Sequence, residues 1–249
     1  RTIHAVEISG KPLRQPLPED RLAELLGRRF VDAHRRAKYL FLDLDDCSSL
    51  LIHLGMSGNL LFREGGELHD HAVFHLDHGP ALVFNDPRRF GLLLVLKKGD
   101  KATCPYLSDL GVEPLESAFD ADYLYSHCRT RTRPVKNLIM DSKIVVGVGN
   151  IYASEALFRA GIRPAVQSKR LSRKRIAVLV EEIKQVLAAA IEAGGTTVNS
   201  YMGAGNGGRF QQKLAVYGRA DESCIVCDQP IRNRVLAGRS SFYCSHCQK

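Results

Sequence analysis

The segment Cys224–Lys249 reads CIVCDQPIRNRVLAGRSSFYCSHCQK, two Cys-x2-Cys pairs with 16 residues between them. Four thiolates at this spacing close a tetrahedral zinc site that leaves no position for water or substrate, so the metal is structural. Between the pairs, Ile231–Leu236 and Ser240–Tyr243 read as two strands turning near Ala237-Gly238. A segment this short lacks an apolar core, and the metal takes its place. Two redox pairs are the competing reading, but such pairs sit at a strand-to-helix junction, which is not legible here. The expectation is one structural Zn2+ on Cys224, Cys227, Cys244 and Cys247. Zinc ribbons bind DNA, RNA or protein. Arg232, Arg234 and Arg239 are candidate phosphate contacts, with solvated structural arginines as the alternative.

Upstream of the ribbon the pattern is helical. Asn150 can cap a helix through IYASEALFRA, with Gly161 as its stop. The longest helix starts at Leu171-Ser172 and carries Ile176, Leu179, Val180, Ile183, Leu187 and Ile191 along one face before Gly194-Gly195. Residues 120–129 and 135–141 form two shorter helical stretches, and YMGAGNGGRF at 201–210 reads as a mobile loop or a linker.

Residues 1 to about 112 read instead as short strands. YLFLDL at 39–44 puts Leu40, Leu42 and Leu44 on one side, and apolar runs follow at 51–54, 72–76, 81–84 and 91–96, separated by turn residues. Strands at this spacing argue for a sandwich or barrel. One short helix is expected in EDRLAELLG at 19–27. The fold class is therefore multidomain α+β. Its expected parts are an N-terminal β domain (1–112), a helical domain (113–215) and the zinc-binding hairpin (216–249).

The chain has 35 Lys+Arg against 27 Asp+Glu, a formal charge of +8, which favours an anionic partner, nucleic acid first. Seven cysteines, an odd number without disulfide-scaffold density, fit a reducing compartment. No apolar run has membrane length, and RTIHAVEISG at the start has no signal-peptide core. A cytoplasmic or nucleoid-associated protein with no membrane partner is the expectation.

Three loop motifs stand out. HLGMSGN at 53–59 projects Met56 from a tight turn, as a wedge between bases or as a core side chain. NDPRRFG at 85–91 puts two arginines before Phe90, to read and wedge a base stack or to pack as a salt-bridged pair over a core Phe. In DSKIVVGVGNIYASE at 141–155, glycines precede a helix N-terminus, where free N–H groups favour phosphate. Lys38 follows His-Arg-Arg-Ala at a strand entry, where it can reach an anion or guard an edge strand.

Taken together, HLGMSG, NDPRRFG, DSKIVVGVGNIYASE, GGTT at 194–197, VYGR at 216–219 and FYCSHCQK at the end resemble the bacterial formamidopyrimidine-DNA glycosylase family across nearly the whole chain. The resemblance implies an N-terminal β-sandwich, a central helix–two-turn–helix domain and a C-terminal zinc finger, with DNA in a cleft between the halves. It implies a monomeric base-excision-repair enzyme that removes oxidised purines such as 8-oxoguanine and formamidopyrimidines. The substrate is double-stranded DNA holding oxidised bases or abasic sites, and the enzyme acts by flipping, Schiff-base formation and β,δ-elimination. Met56, Arg88 and Phe90 would fill the gap left by the flipped nucleotide; Lys38, His53, Asn150, Tyr217 and Arg239 would hold phosphates. Lys136 would sit near the lesion pocket, and loop 203–210, with Arg209, would close over the base.

The family's nucleophile is the amine of an N-terminal proline in a Pro-Glu pair, whereas position 1 here is Arg1. A polypeptide starting at Arg1 is therefore expected to bind DNA without turnover, with Lys38 or Lys136 as the only substitutes considered. A glycosylase of the oxidised-pyrimidine branch and a non-catalytic zinc-ribbon nucleic-acid-binding protein are the two alternatives.

Overall fold

The computed structural model describes residues 1–195 and 214–249. They fall into two compact units, residues 1–108 and residues 109–195 with 214–249.

The first unit is a β-sandwich. β1 (Ile3–Ile8), β6 (Asp70–Leu76), β7 (Leu82–Asn85) and β5 (Asn59–Phe62) form one antiparallel sheet in that order. β2 (Phe30–Arg36), β3 (Tyr39–Leu44), β4 (Ser49–His53) and β8 (Leu92–Leu96) form the other. Period-two alternation decides what each strand buries. Leu44 enters the main core with Leu50, Ile52, Phe74 and Phe84, and Leu40 and Leu42 pack against it. The intervening Phe41 and Leu51 point the other way, into a second layer closed by Leu96 and Cys104. That layer lies near α2 (Asp100–Thr103) and explains why β4 is apolar on both faces. The short helix expected at 19–27 forms as α1 (Glu19–Ala23) and unwinds into turns that end at Gly27, whose φ is 76°.

The second unit is helical with a hairpin. α3 (Ala121–Cys128) is capped by the Asp120 carboxylate, which accepts from Tyr123 N at 2.7 Å. α4 (Val135–Ile139) and α5 (Asn150–Arg159) follow, then α6 (Arg173–Glu192), capped by Ser172. Leu157, Leu138, Ile176, Leu179, Val180, Ile183 and Val186 share one core. Ile191 lies outside the stripe expected for it and is 66% exposed, while Val186 and Ala190 are buried. At about 100° per residue, Ile191 has turned past the edge of the face centred on Ile183.

β9 (Ile231–Leu236) and β10 (Arg239–Cys244) pair antiparallel through a two-residue turn, Ala237 (φ 45°) and Gly238 (φ 74°). Positive φ at both positions matches the twist of a tight hairpin. The apolar support of this hairpin is small: Phe158 of α5, Ala215, Val216, Ile231 and the cysteines. Among the described residues no helix is long and apolar enough to cross a membrane.

Candidate nucleic-acid interface

In the first unit, two exposed turns are locked together from below. The Met56 turn closes when Gly58 N donates to Leu54 O at 2.8 Å. A Cβ on Gly55 (φ 65°) would stand 2.5 Å from the Phe90 carbonyl carbon, so only glycine lets the second turn come this close. Beneath both lies the fully buried Asp86 carboxylate. It accepts from Ser57 Oγ at 2.6 Å and from Gly91 N at 2.7 Å, so one side chain holds residues from both turns. Its backbone oxygen accepts from His71 Nε2 at 3.0 Å, and Arg14 Nε donates to Phe90 O at 3.2 Å.

The held side chains point out. Met56 is 61% exposed and Phe90 45%. Arg88 is exposed, with its guanidinium carbon 4.9 Å from the centre of the Phe90 ring. An apolar wedge beside a stacked cation can enter a base stack and offer hydrogen bonds to what it finds there.

His53 ends β4. Its Nδ1 accepts from Gly55 N at 2.9 Å, which leaves the ring proton on Nε2 as a donor. Burial first, then the charges of Arg14 and Lys38, lower its pKa to about 4, so at neutral pH it is an uncharged donor beside two cations. Lys38 is exposed in the β2–β3 turn, next to Ala37 at φ 56°.

In the second unit the zinc ligands converge. The four cysteine sulfurs lie within 4.8 Å of one another, with Cys227–Cys244 at 3.4 Å and Cys224–Cys247 at 3.9 Å. Tetrahedral zinc with bonds near 2.3 Å needs sulfurs ~3.8 Å apart, so the cage fits that ion.

Lys136 packs beneath the hairpin turn and is 2% exposed. Its Nζ donates to Ser240 O and to Ser241 Oγ, both at 2.9 Å. Burial, then the charge of Arg239, lowers its pKa to about 8. Arg239 itself is exposed at the start of β10, as are Arg232 and Arg234 on β9.

Asn150 differs from its expected capping role. Gly149, in extended conformation, is the N-cap of α5, and Asn150 is the first helical residue. Its Nδ2 instead faces Tyr217 Oη at 3.4 Å, and its Oδ1 is buried without a partner. Tyr217 packs edge-on against Phe242, 5.0 Å between ring centres. The segment that carries Tyr217 is pinned by the buried Glu155 carboxylate, which accepts from Ala215 N, Val216 N and Tyr217 N at 2.8, 3.0 and 2.9 Å. Arg209 and loop 203–210 lie outside the described residues.

Sequence reading missed Asp86, Ser57, Arg14, His71 and Glu155. Ser57, Asp86 and Glu155 did fall inside the quoted motifs, but the partners that give them their roles are distant in sequence.

A wedge-and-cation ridge on a β-sandwich, together with a helical unit bearing a four-cysteine hairpin, defines a class of zinc-ribbon DNA-processing proteins. Residues 1–93 match the formamidopyrimidine-DNA glycosylase N-terminal domain, and residues 110–202 match the formamidopyrimidine-DNA glycosylase H2TH domain. The formamidopyrimidine-DNA glycosylase of Stenotrophomonas maltophilia (strain K279a) is 45% identical over 254 residues, covering 100% of this chain and 93% of its own. Among solved structures, the MutM (Fpg) protein of Thermus thermophilus superposes with a TM-score of 0.88 at 37% identity, covering 99% of this chain and 91% of that one. A complex of Lactococcus lactis Fpg with abasic-site DNA gives 0.91 at 29%, covering 100% and 93%. The chain belongs to the formamidopyrimidine-DNA glycosylase family.

Proposed function

We propose that this protein is a base-excision-repair DNA glycosylase and abasic-site lyase acting on oxidised purines in double-stranded DNA. The observation that carries the reading is the exposed ridge of Met56, Arg88 and Phe90 anchored on one buried carboxylate, Asp86. A base cannot be attacked inside the stack, so the enzyme extrudes it and refills the hole. Met56 and Phe90 supply apolar filling, and Arg88 meets the orphaned base. Lys38, the neutral His53 donor, Asn150, Tyr217 and Arg239 hold backbone phosphates, with Arg209 and loop 203–210 over the lesion. Relatives solved with a Fapy-dG-containing DNA and with a carbocyclic 8-oxo-G-containing DNA support the purine class.

The work divides among three segments: a wedge-bearing sandwich (1–112), a helix–two-turn–helix domain (113–215) and a zinc finger (216–249). One Zn2+ on Cys224, Cys227, Cys244 and Cys247 holds the hairpin that presents Arg239; it has no open position and takes no part in bond making. The protein works as a monomer in the bacterial cytoplasm, on the nucleoid. The covalent step requires an uncharged amine that attacks C1′ as the base departs with the glycosidic electron pair. The family resemblance gives that step to an N-terminal proline; the two hydrogen bonds that tie Lys136 Nζ to the hairpin argue against Lys136 as a substitute.

Strand cleavage and borohydride trapping test the reading, with the protein expressed from its complete reading frame. Gapped product and a trapped adduct from 8-oxoguanine opposite cytosine are expected. Product from oxidised pyrimidines alone moves the protein to the other branch of the superfamily. Tight binding with neither product nor adduct leaves a zinc-ribbon DNA-binding protein.

A further inference from the structure

Next to the hairpin turn, within the second unit, lies an open cavity of about 540 Å3 lined by Arg133, Pro134, Asn137, Met140, Asp141, Ala237 and Arg239. Arg133 stands just ahead of α4. Its Nη1 donates to Asp141 Oδ2 at 2.8 Å, which orients the guanidinium plane. Its other edge, Nε with Nη2, is enclosed and has no hydrogen-bond partner. That edge is the one a guanidinium uses to grip an oxyanion with two parallel bonds. Asn137 Oδ1 is likewise enclosed and unpartnered, and a half-turn of its amide offers Nδ2 to the same space. Arg239 lines the cavity from the turn, and Lys136 lies under that turn, close enough to Arg239 to feel its charge. The charged residues lining the space are therefore two arginines and one carboxylate, and the carboxylate is already engaged by Arg133.

Resting on the DNA-binding reading above, we infer that this cavity seats a backbone phosphate of the bound duplex, gripped side-on by Arg133 and from the turn by Arg239. Arg239 alone is a single exposed cation beside a two-residue turn. Arg133, steered by Asp141, makes the contact a two-sided clamp and fixes where the strand passes the hairpin. An orphaned guanidinium edge is costly to keep buried; a pivot about the Nη1–Asp141 bond turns it toward the cavity, where a phosphate satisfies both of its donors at once. The contact reads no sequence, so it acts alike on damaged and undamaged DNA.

The test is the salt dependence of duplex binding. Each phosphate contact contributes a slope of about 0.9 in log K against log[salt]. Arg133→Gln is expected to lower the slope by about that amount and to weaken binding several-fold, equally on an undamaged duplex and on one with an abasic-site analogue. Lys174→Gln, at an exposed position on α6, controls for net charge and is expected to change the slope far less. An Arg133→Gln slope equal to that of Lys174→Gln overturns the inference. Should Arg133→Gln fail to fold, Arg133→Lys decides: it keeps the charge but cannot form the two-bond grip, so unimpaired affinity rejects the clamp. Loss of lesion preference in the wild-type protein would sink the repair reading, whereas the slope on undamaged duplex judges Arg133 separately.

Discussion

Ser57 and Asp86 join the two exposed turns of the sandwich: Ser57 Oγ donates to Asp86 Oδ1 at 2.6 Å, and the other carboxylate oxygen receives Gly91 N at 2.7 Å. The exposed Met56 and Phe90 are thereby placed by a group that itself never meets solvent. Asp86→Asn loses charge-assisted acceptance and turns an amide hydrogen toward a donor. It is expected to cost about 2–3 kcal/mol by urea unfolding. It should also cut discrimination between lesion and normal duplex more than affinity for normal duplex. Equal losses on both duplexes would show that the two turns act independently.

Met56 can be separated from the fold. Being 61% exposed, it contributes little burial, so Met56→Ala should change stability by less than ~1 kcal/mol. Lesion excision is expected to fall at least tenfold while nonspecific binding changes little. A parallel drop in both would place Met56 in general DNA contact.

His53 gives a pH signature. Its folded pKa is lowered to about 4, chiefly by burial. Below pH 6.5 the unfolded imidazole takes up a proton that the folded one refuses until about pH 4, so stability falls as pH drops through that window and is fully present above it. About 2 kcal/mol is at stake after allowing for partial screening by solvent. Stability profiles of wild type and His53→Asn should converge toward pH 4; parallel profiles would contradict the assignment.

Lys136 titrates near 8, held down by burial and then by Arg239. Between that value and 10.5 the unfolded chain binds the extra proton, so this group makes stability rise with pH across the window. Side-chain NMR should find the midpoint near 8, and Arg239→Gln should move it upward. A midpoint that ignores Arg239 would mean that the turn and α4 are not in register.

Chelation of the metal should unfold the hairpin selectively, because its apolar core is little more than Phe158, Ala215, Val216 and Ile231. Metal analysis should return about one zinc per chain. On chelation, amide signals of residues 221–249 are expected to collapse to the random-coil range while those of residues 1–108 stay dispersed. Retained dispersion in the hairpin would refute a structural role.

Much was legible before any coordinates. The Cys-x2-Cys pairs, the alternation in YLFLDL and the Gly-framed turns around Met56 and Phe90 are short-range patterns, and each is read within one element. Ile191 shows where such reading fails: a helix stripe drifts, and only the packed partner says where it ends. Asn150 fails for a different reason. A good capping residue lost that place to Gly149, and its amide faces Tyr217 instead.

The sequence by itself determined the four-cysteine cage, the two kinds of secondary structure and where the turns around Met56 and Phe90 fall, because those depend on spacing along the chain. Tertiary structure alone decided which polar groups are buried as anchors. Lys136 reaches Ser240 and Ser241 across 104 and 105 residues, and Glu155 collects three backbone N–H groups some 60 residues on. A buried charge persists only where distant donors or acceptors converge on it, and no local pattern encodes that convergence.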